Sequence, residues 1–393
     1  MEFKTLEDVD VRGKRVLLRE DLNVPMKDGE IADDTRITAA LRTLRWLHNH
    51  GAKTVILSHL GRPDGKPNPK YTLRPIAARL ADLLDVEVGF VGNCVGPECV
   101  AASHALPNGG FVLFENVRFH PEEEANDPAF AQELARSGDL YVNDAFGTAH
   151  RAHASTAGVA AYLPAYAGFL MEAELAALAR LTHHPVHPYV CAIGGAKVAD
   201  KVGVFENLLT KVDAFVIGGG MANTFLAAQG INVGNSLRDP DLMPAQRIIA
   251  LSLSKGVMLH LPSDAVVADA FDADETARVV PIGQVGSGMI LDIGRATARE
   301  YAAVLRAAKT IVFNGPMGVY EKPAYQNGTR IVGEAIAEAT KAGATSVVGG
   351  GDAAAAAHAL GFAAAMTHVS TGGGATLEFL EGKTLPGVAA LLR

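Results

Sequence analysis

Two lysines, Lys197 and Lys201, stand four residues apart in the segment YVCAIGGAKVADK, which begins at Tyr189. Its apolar start, glycine pair and polar continuation predict a strand, a tight turn and a helix. Free N–H groups and the dipole at a helix N-terminus attract anions. Two lysines on one helix face repel each other unless an anion lies between them. The segment therefore suggests an anion site; the alternative is a solvated helix face partly neutralised by Asp200.

Polar and basic side chains follow successive strand-like runs in the first half of the chain. The runs RVLLR, TVILS, FVLFE and LYVND alternate with helical patterns at 37–50, 73–84 and 129–137. This alternation predicts a parallel sheet with helices on both faces, where ligands bind beyond the carboxyl ends of the strands. The side chains expected there form a basic crescent suited to a small phosphorylated acid. They are Asp21, Asn23, His59, Arg62, Arg118, His150 and Arg151.

Each of these residues alone would be an ordinary solvated side chain. Arg36 lies near the start of the helix at 37–50, where a cation opposes the helix dipole. A nearby anion would account for that placement, and so would an ion pair with Asp33. His150 and His153 could form a metal pair, but no third ligand accompanies them at helical spacing.

The second half repeats the alternation of strands and helices. Five of its six strand-like runs lead directly into glycines: YVCAI, AFVI, TIVFN, TSVV and THVST do so, whereas VMLHLPSDAVV does not. Glycine turns along one sheet edge suggest a backbone surface that a nucleotide's base and phosphates can approach closely. Helices after Gly351 and Gly374 would point their N-termini at that edge.

Length and composition limit the class of protein. A chain of 393 residues favours two domains, and the run HHPVHP after a helix from Leu170 to His183 marks a candidate boundary. The net charge of −8 argues against a general nucleic-acid or anionic-membrane binder. Three cysteines without a CxxC pair, no apolar signal core and no run of about 18 apolar residues predict a cytoplasmic, reduced protein.

Two rival classes of protein remain open on these patterns. The segment GGGDAA, at 349–354, fits a relaxed dinucleotide fingerprint and suggests an NAD-type dehydrogenase, although the acidic residue expected about 20 positions later is missing. A non-catalytic two-lobed protein that binds a small solute is the second rival. The GxxxxGK[ST] pattern of P-loop enzymes is absent.

Over essentially its whole length the chain resembles the phosphoglycerate kinase family. The resemblance rests on motifs that occur in the family's order: RVLLREDLNVP, SHLGRP, NDAFGTAHRAHAS, IGGAKVADK, NGPMGVYE, GGGDA and STGGGATLEFLEGKTLPGV. It implies a glycolytic, reversible phosphoryl transfer between ATP and the carboxylate of 3-phosphoglycerate, giving ADP and 1,3-bisphosphoglycerate. It also implies an α/β fold of two doubly wound, Rossmann-like parallel-sheet domains, joined by a connecting helix with a cleft between them.

The resemblance implies domain boundaries and site residues. Residues 1–170 would form a triose-binding domain completed by 383–393, 171–187 a connecting helix and hinge, and 188–382 a nucleotide-binding domain. The implied triose ligands are Asp21, Leu22, Asn23, Arg36, His59, Leu60, Gly61, Arg62, Arg118, His150 and Arg151. The implied nucleotide ligands are Lys197, Lys201, Gly219, Gly220, Met289, Leu291, Asn314, Glu321, Gly350, Gly351, Asp352 and Ala353.

Within this set, Glu321 would hold the ribose, Asp352 would hold Mg²⁺, and Gly219, Gly220, Met289 and Leu291 would form the adenine slot. A carboxylate acceptor is already ionised at neutral pH, so the reaction needs no general base. What the reaction still requires is neutralisation of the transferring phosphoryl group and alignment of the attacking and leaving oxygens. These tasks are assigned to Arg36, Lys197, Lys201 and the amides of Gly373 and Gly374. Hinge closure and a monomeric state are expected. The chain departs from the family's usual pattern at Glu20, Ala353 and Arg295, for which altered KM values are expected.

Overall fold

The computed structural model describes residues 3–392, which divide into two compact units. The first unit takes in the chain as far as Leu175 and again from Thr384, and the second takes in Ala176–Lys383. Among the described residues, no helix is long and apolar enough to cross a membrane.

The first unit is built on a parallel sheet. Its strands are β1 (Arg15–Arg19), β2 (Met26–Lys27), β3 (Glu30–Ile31), β4 (Lys53–Leu57), β5 (Val88–Val91), β6 (Phe111–Phe114), β7 (Leu140–Asn143) and β8 (Ala165–Ala167). Six of them form the sheet in the order β5-β6-β4-β1-β7-β8, and β2 and β3 form a separate hairpin. The sequence pattern predicted β1, β4, β6 and β7. It missed β5 and β8, which are edge strands and therefore only partly buried.

Helices cover both faces of this sheet. They are α1 (Thr35–Asn49), α2 (Arg74–Leu84), α3 (Pro97–Ala105), α4 (Pro121–Glu124), α5 (Pro128–Ala135) and the first part of α6 (Phe169–Thr182). Successive residues of β1 point to opposite faces, so Val16 and Leu18 pack in the cluster of α1 and α2 while Leu17 packs in the cluster of α5. The prediction missed α3, whose small residues give no apolar stripe.

The second unit is built on another parallel sheet. Its strands are β9 (Tyr189–Ile193), β10 (Ala214–Ile217), β11 (Met258–His260), β12 (Asp264–Ala268), β13 (Arg278–Pro281), β14 (Met289–Ile293), β15 (Thr310–Asn314), β16 (Thr345–Val348) and β17 (His368–Val369). The main sheet has the order β11-β10-β9-β15-β16-β17, and β13-β12-β14 form a small antiparallel sheet. With the first unit, this confirms the predicted pair of parallel-sheet α/β domains.

One predicted strand is wrong. VMLHLPSDAVV was predicted as a single strand, but it forms β11 and β12, which belong to different sheets. Pro262 separates them, and Asp264 accepts hydrogen bonds from the amides of Ala296 (3.0 Å) and Thr297 (2.8 Å). This carboxylate caps the helix that begins at Arg295, which holds the chain away from the main sheet.

The helices of the second unit also lie on both faces of its sheet. They are α7 (Val202–Leu208), α8 (Gly219–Ala228), α9 (Met243–Lys255), α10 (Arg295–Ala307), α11 (Asn327–Lys341), α12 (Gly351–Ala359) and α13 (Gly374–Leu380). Val190 and Phe313 pack with residues of α10 and α11. Phe215, on β10, contacts Phe205 at 5.0 Å between ring centroids.

The last residues of the chain return to the first unit. They contain α14 (Pro386–Ala389), with Leu385, Val388 and Leu391 buried. The amide of Gly387 donates to the carbonyl of Ala149 over 2.8 Å. A Cβ on Gly387 would lie 3.0 Å from Cα of Ala149, so only glycine fits this close approach without a shift. The tail therefore supports the segment that leads into His150 and Arg151.

Candidate active site

The predicted triose ligands follow strands that are neighbours in the first sheet. Since β6, β4, β1 and β7 are adjacent and parallel, their carboxyl ends meet at one edge. Arg118, His59, Asp21 and Arg151 come after these four strands in turn. Strand order thus accounts for how residues distant in sequence come to the same edge.

Arg36 and Asp21 form an ion pair at this edge. Nη1 of Arg36 lies 2.9 Å from each carboxylate oxygen of Asp21. The Arg36 side chain remains 37% exposed, so solvent and a ligand can both reach it. The helix-start cation noted in the sequence therefore has its carboxylate partner on the loop after β1.

Gly61 is held between two of the predicted ligands. Its amide donates to Oδ1 of Asn23 over 2.8 Å, and its carbonyl accepts from Nη1 of Arg118 over 3.0 Å. Gly61 has φ +61°, and a Cβ there would lie 2.3 Å from the Tyr71 ring. Leu22 and Leu60 are buried beside it and contribute backbone and packing rather than an exposed side chain. The two hydrogen bonds and the close approach to Tyr71 therefore fix the backbone position of Gly61.

His59 is a neutral hydrogen-bond donor. Burial, and then the charge of Arg19, lower the pKa of His59 well below its usual range. Its Nδ1 lies 3.1 Å from Nη2 of Arg19, and arginine can only donate, so Nδ1 is the acceptor. The proton is therefore on Nε2, which can donate to a ligand oxygen.

The remaining cations of the edge differ in exposure. Arg118 is 5% exposed, and burial lowers its pKa to about 10, so it stays charged at neutral pH. It also lies 3.3 Å from Glu124. Nε of Arg151 donates to Nε2 of His150 over 3.2 Å, whereas Arg62 is exposed. The edge thus offers both fixed and adaptable cations to an anion.

Sequence reasoning missed a buried network beneath these residues. Arg19 donates through Nε to Oγ of Ser155 over 2.7 Å, and that hydroxyl donates to Glu123 over 2.6 Å. Arg19 and Glu123 are fully buried. A charged residue inside a buried strand such as RVLLR needs a partner, and that requirement was the available signal.

The glycine turns of the second unit share one edge, as predicted. The strands β10, β9, β15, β16 and β17 are consecutive in the sheet, and each leads into glycine either directly or within a few residues. Gly219 has φ +67°, and a Cβ there would lie 2.7 Å from the carbonyl oxygen of Gly195. Side chains are therefore excluded where these turns pack together.

The predicted helix carrying Lys197 and Lys201 is wrong. Lys197 lies in irregular backbone, and a 3₁₀ turn at Ala199–Lys201 precedes α7. Asp239 fixes this conformation by accepting from the amides of Val198 (2.8 Å) and Ala199 (3.1 Å). The two lysines consequently do not share the face of an α-helix.

Lys201 instead points back towards the glycine edge. Its Nζ donates to the carbonyls of Gly194 and Asn314, each over 2.7 Å. Burial lowers its pKa to about 8, and Asp352 and Asp200 oppose that shift. Asn314 donates through Nδ2 to Gly349 over 2.6 Å, while its buried Oδ1 has no hydrogen-bond partner among the described residues.

A cavity of about 290 Å³ lies at this edge. Of the predicted nucleotide ligands, it is lined by Gly219, Gly220, Met289, Leu291, Glu321 and Asp352. The others do not line it: Lys197, Lys201, Asn314, Gly350, Gly351 and Ala353. Its walls also include Asn223, Phe271 and Tyr320, which were not predicted: Asn223 and Phe271 lie outside the recognised motifs, and Tyr320 lies within one, directly before Glu321. The cavity combines apolar walls with three acidic side chains, those of Asp292, Glu321 and Asp352, and such a combination is expected of a small-molecule site.

Asp352 is the predicted metal ligand. It lies in the first turn of α12 and is exposed. Within residues 3–392, no group of three or more His, Cys, Asp or Glu side chains could hold a metal ion. Mg²⁺ at nucleotide sites usually takes one or two carboxylates and completes its shell with phosphates and water. A single exposed carboxylate fits that requirement.

These features define a class of protein: a two-unit α/β protein with a cationic sheet edge in one unit and a glycine-lined pocket in the other. A family model described as "Phosphoglycerate kinase" matches residues 6–383. The chain therefore belongs to the phosphoglycerate kinase family.

Curated relatives and solved structures agree with this membership. A phosphoglycerate kinase of Chloroflexus aurantiacus is 56% identical, with 100% of this chain and 99% of the relative covered. One of Moorella thermoacetica is 54% identical, with 98% of each covered. The structure of phosphoglycerate kinase from Coxiella burnetii has a TM-score of 0.92 at 43% identity and covers 100% of this chain and 99% of that one. The dehydrogenase and binding-protein alternatives find no support in these similarities.

Proposed function

We propose that this protein catalyses reversible phosphoryl transfer between ATP and the carboxylate of 3-phosphoglycerate, yielding ADP and 1,3-bisphosphoglycerate. The proposal rests on one observation: this chain, a member of the family, has a cationic sheet edge in one unit and a glycine-lined pocket in the other. A phosphorylated acid needs a cationic site, and a nucleotide needs a pocket whose backbone it can approach closely.

The first unit, with its returning tail, is the proposed triose-binding domain. Arg62, Arg118 and Arg151 neutralise the phosphate of 3-phosphoglycerate. His59 donates from Nε2 to an oxygen of 3-phosphoglycerate. Asp21 and Asn23 position the hydroxyl of the same molecule by accepting its hydrogen bond. The fixed position of Gly61, between Asn23 and Arg118, supports this assignment.

The second unit is the proposed nucleotide-binding domain. Gly219, Gly220, Met289 and Leu291 surround adenine, and Glu321 accepts from the ribose hydroxyls. These residues line the same cavity, which supports the assignment. Asn314, Gly350, Gly351 and Ala353 lie next to the phosphates. The buried Oδ1 of Asn314 has no partner among the described residues, and because it can only accept, it requires a donor such as a water molecule.

Transfer itself requires charge neutralisation and alignment. Arg36, Lys197 and the amides of Gly373 and Gly374 stabilise the γ-phosphoryl group as it moves, and Lys201 neutralises the nucleotide phosphates. Mg²⁺ held by Asp352 would supply further positive charge on those phosphates. Since the acceptor carboxylate is ionised, no residue has to remove a proton.

The reaction also requires the two bound substrates to meet in line. Closure about the segment 171–187 would bring them together and exclude water, which suppresses hydrolysis of ATP. We further propose that the protein acts as a cytoplasmic monomer and binds neither nucleic acid nor membrane, in keeping with its net charge of −8.

A coupled assay of ADP formation tests the proposed function. ATP turnover should need both 3-phosphoglycerate and Mg²⁺. Binding of either compound without turnover would favour a binding protein instead. The departures at Glu20, Ala353 and Arg295 should alter KM values without abolishing turnover.

A further inference from the structure

Two carboxyl groups, those of Glu20 and Asp144, are in contact in the interior of the first unit. The register pairs Arg19 with Leu57 and with Asn143, so the residues that follow β1 and β7 come to the same edge. Glu20 is 1% exposed and Asp144 is 0% exposed. The amide of Asp144 donates to the carbonyl of Arg19 over 2.9 Å, and this parallel register places Glu20 and Asp144 next to each other across the two strands.

Only a proton can join these two side chains. Both oxygens of Glu20 and Oδ2 of Asp144 are buried, and among the described residues no N–H or O–H group donates to them. Two ionised carboxylates are acceptors alone, so the contact is a hydrogen bond only when one carboxyl is protonated.

The proton belongs on Glu20. Oδ1 of Asp144 accepts from the amides of Leu170 (2.8 Å) and Met171 (3.0 Å), in the first turn of α6. These amides and the helix dipole stabilise a negative charge on Asp144. Glu20 has no comparable donors.

The charges around the pair are consistent with this assignment. Burial, and then Asp144, raise the pKa of Glu20 well above its usual range; Asp21 adds to the rise and Arg19 opposes it. Arg19 directs its Nη1 to the carbonyl of Glu20 and its other nitrogens to Ser155 and His59. Burial also raises the pKa of Asp144, against the effect of the Thr43 hydroxyl.

The pair joins two functional parts of the first unit. Glu20 directly precedes Asp21, whose carboxylate holds Arg36. Asp144 holds the N-terminus of α6, the helix within which the chain passes from the first unit to the second.

We propose that Glu20 is a positioning residue: as a neutral acid it donates a hydrogen bond to Asp144 and thereby links the triose site at Asp21 to the N-terminus of α6. Which ligand fills that site rests on the proposed function. Glu20 touches no reacting atom, and its effect is transmitted through Asp21 and Asp144.

The shared proton is tested on the unliganded protein. The equilibrium unfolding of wild type, Glu20→Gln and the exposed control Glu87→Gln would be measured in urea from about pH 5 to pH 8, above the ordinary glutamate pKa. Folded wild type keeps a proton that the unfolded chain loses, so wild type should lose stability relative to Glu20→Gln as the pH rises. Because the folded state holds about one more proton than the unfolded state, the unfolding equilibrium constant of wild type should rise by up to about tenfold per pH unit relative to that of Glu20→Gln. Glu87→Gln should follow wild type, and parallel curves for wild type and Glu20→Gln would overturn the proposal.

The link to α6 is tested by hydrogen exchange at the amides of Leu170 and Met171. Saturating 3-phosphoglycerate should slow their exchange on the order of tenfold at ten times Kd in wild type. Glu20→Gln retains an N–H donor and should keep this slowing, whereas Glu20→Ala should lose it and show a lower kcat. Equal slowing in Glu20→Ala would refute the link.

Binding of 3-phosphoglycerate would be measured on the same samples. If no variant binds it, the proposed function fails. The pH comparison on unliganded protein then decides whether the shared proton exists.

Discussion

Replacing Arg36 with alanine tests how the cationic edge contributes to the reaction. If Arg36 stabilises the moving phosphoryl group, its loss removes an interaction made mainly in the transition state. Loss of one such donor typically costs about 2.7–4 kcal/mol, or roughly 10²–10³ in kcat. KM for either substrate should change far less.

The structure separates this effect from a loss of stability. The ion pair of Arg36 with Asp21 is 37% and 10% exposed on its two sides, so after solvent screening it contributes about 1 kcal/mol or less to folding. Arg79 provides a matched control, since its Nη2 lies 2.6 Å from Asp34 in a pair that is 40% and 34% exposed. Arg79→Ala should lose comparable stability and keep its kcat.

Steady-state kinetics in both substrates, with urea unfolding of the same preparations, give the comparison. Arg36→Lys should recover part of kcat because it restores the charge without the guanidinium fork. A near-wild-type kcat for Arg36→Ala, in a folded protein, would refute the role given to this residue.

Three further outcomes are expected. Burial lowers the pKa of Lys201 to about 8. Between about pH 8 and the ordinary lysine pKa of the unfolded chain, the folded protein therefore holds fewer protons than the unfolded chain. Stability should rise with pH across that window while KM for ATP increases, and kinetics of Lys201→Arg, which stays charged, should lack the increase. Asp352→Asn should raise the Mg²⁺ concentration required for half-maximal rate by about tenfold or more, as a metal titration of the rate would measure, because the carboxylate is the single protein ligand proposed. Deleting residues 384–393 removes the buried side chains of Leu385, Val388 and Leu391. At about 2 kcal/mol each, their loss should lower the thermal midpoint of the first unit, as calorimetry would record; an unchanged midpoint would contradict the packing of the tail.

The sequence was most informative where chemistry and topology coincide. Fully buried strands such as β9 and β10 are continuous apolar runs, and the glycines that follow them mark the edge where backbone must approach a ligand. The edge strands β5 and β8 escaped prediction because partial burial leaves a weak pattern.

The remaining errors and omissions depend on tertiary contacts. Asp239 reshapes the segment of Lys197 and Lys201 from 40 residues away, and local helical spacing cannot anticipate such a contact. The contact between Glu20 and Asp144 likewise depends on strand order. Motif reasoning found Glu20 as a departure, but only the fold reveals its partner.

Trapping the product with hydroxylamine tests the central claim most directly. Transfer to a carboxylate makes an acyl phosphate, which hydroxylamine converts to a hydroxamate. With ATP, Mg²⁺ and 3-phosphoglycerate, hydroxamate should accumulate in step with ADP, and omitting 3-phosphoglycerate should abolish both. Release of ADP and inorganic phosphate without hydroxamate would contradict phosphoryl transfer to the carboxylate.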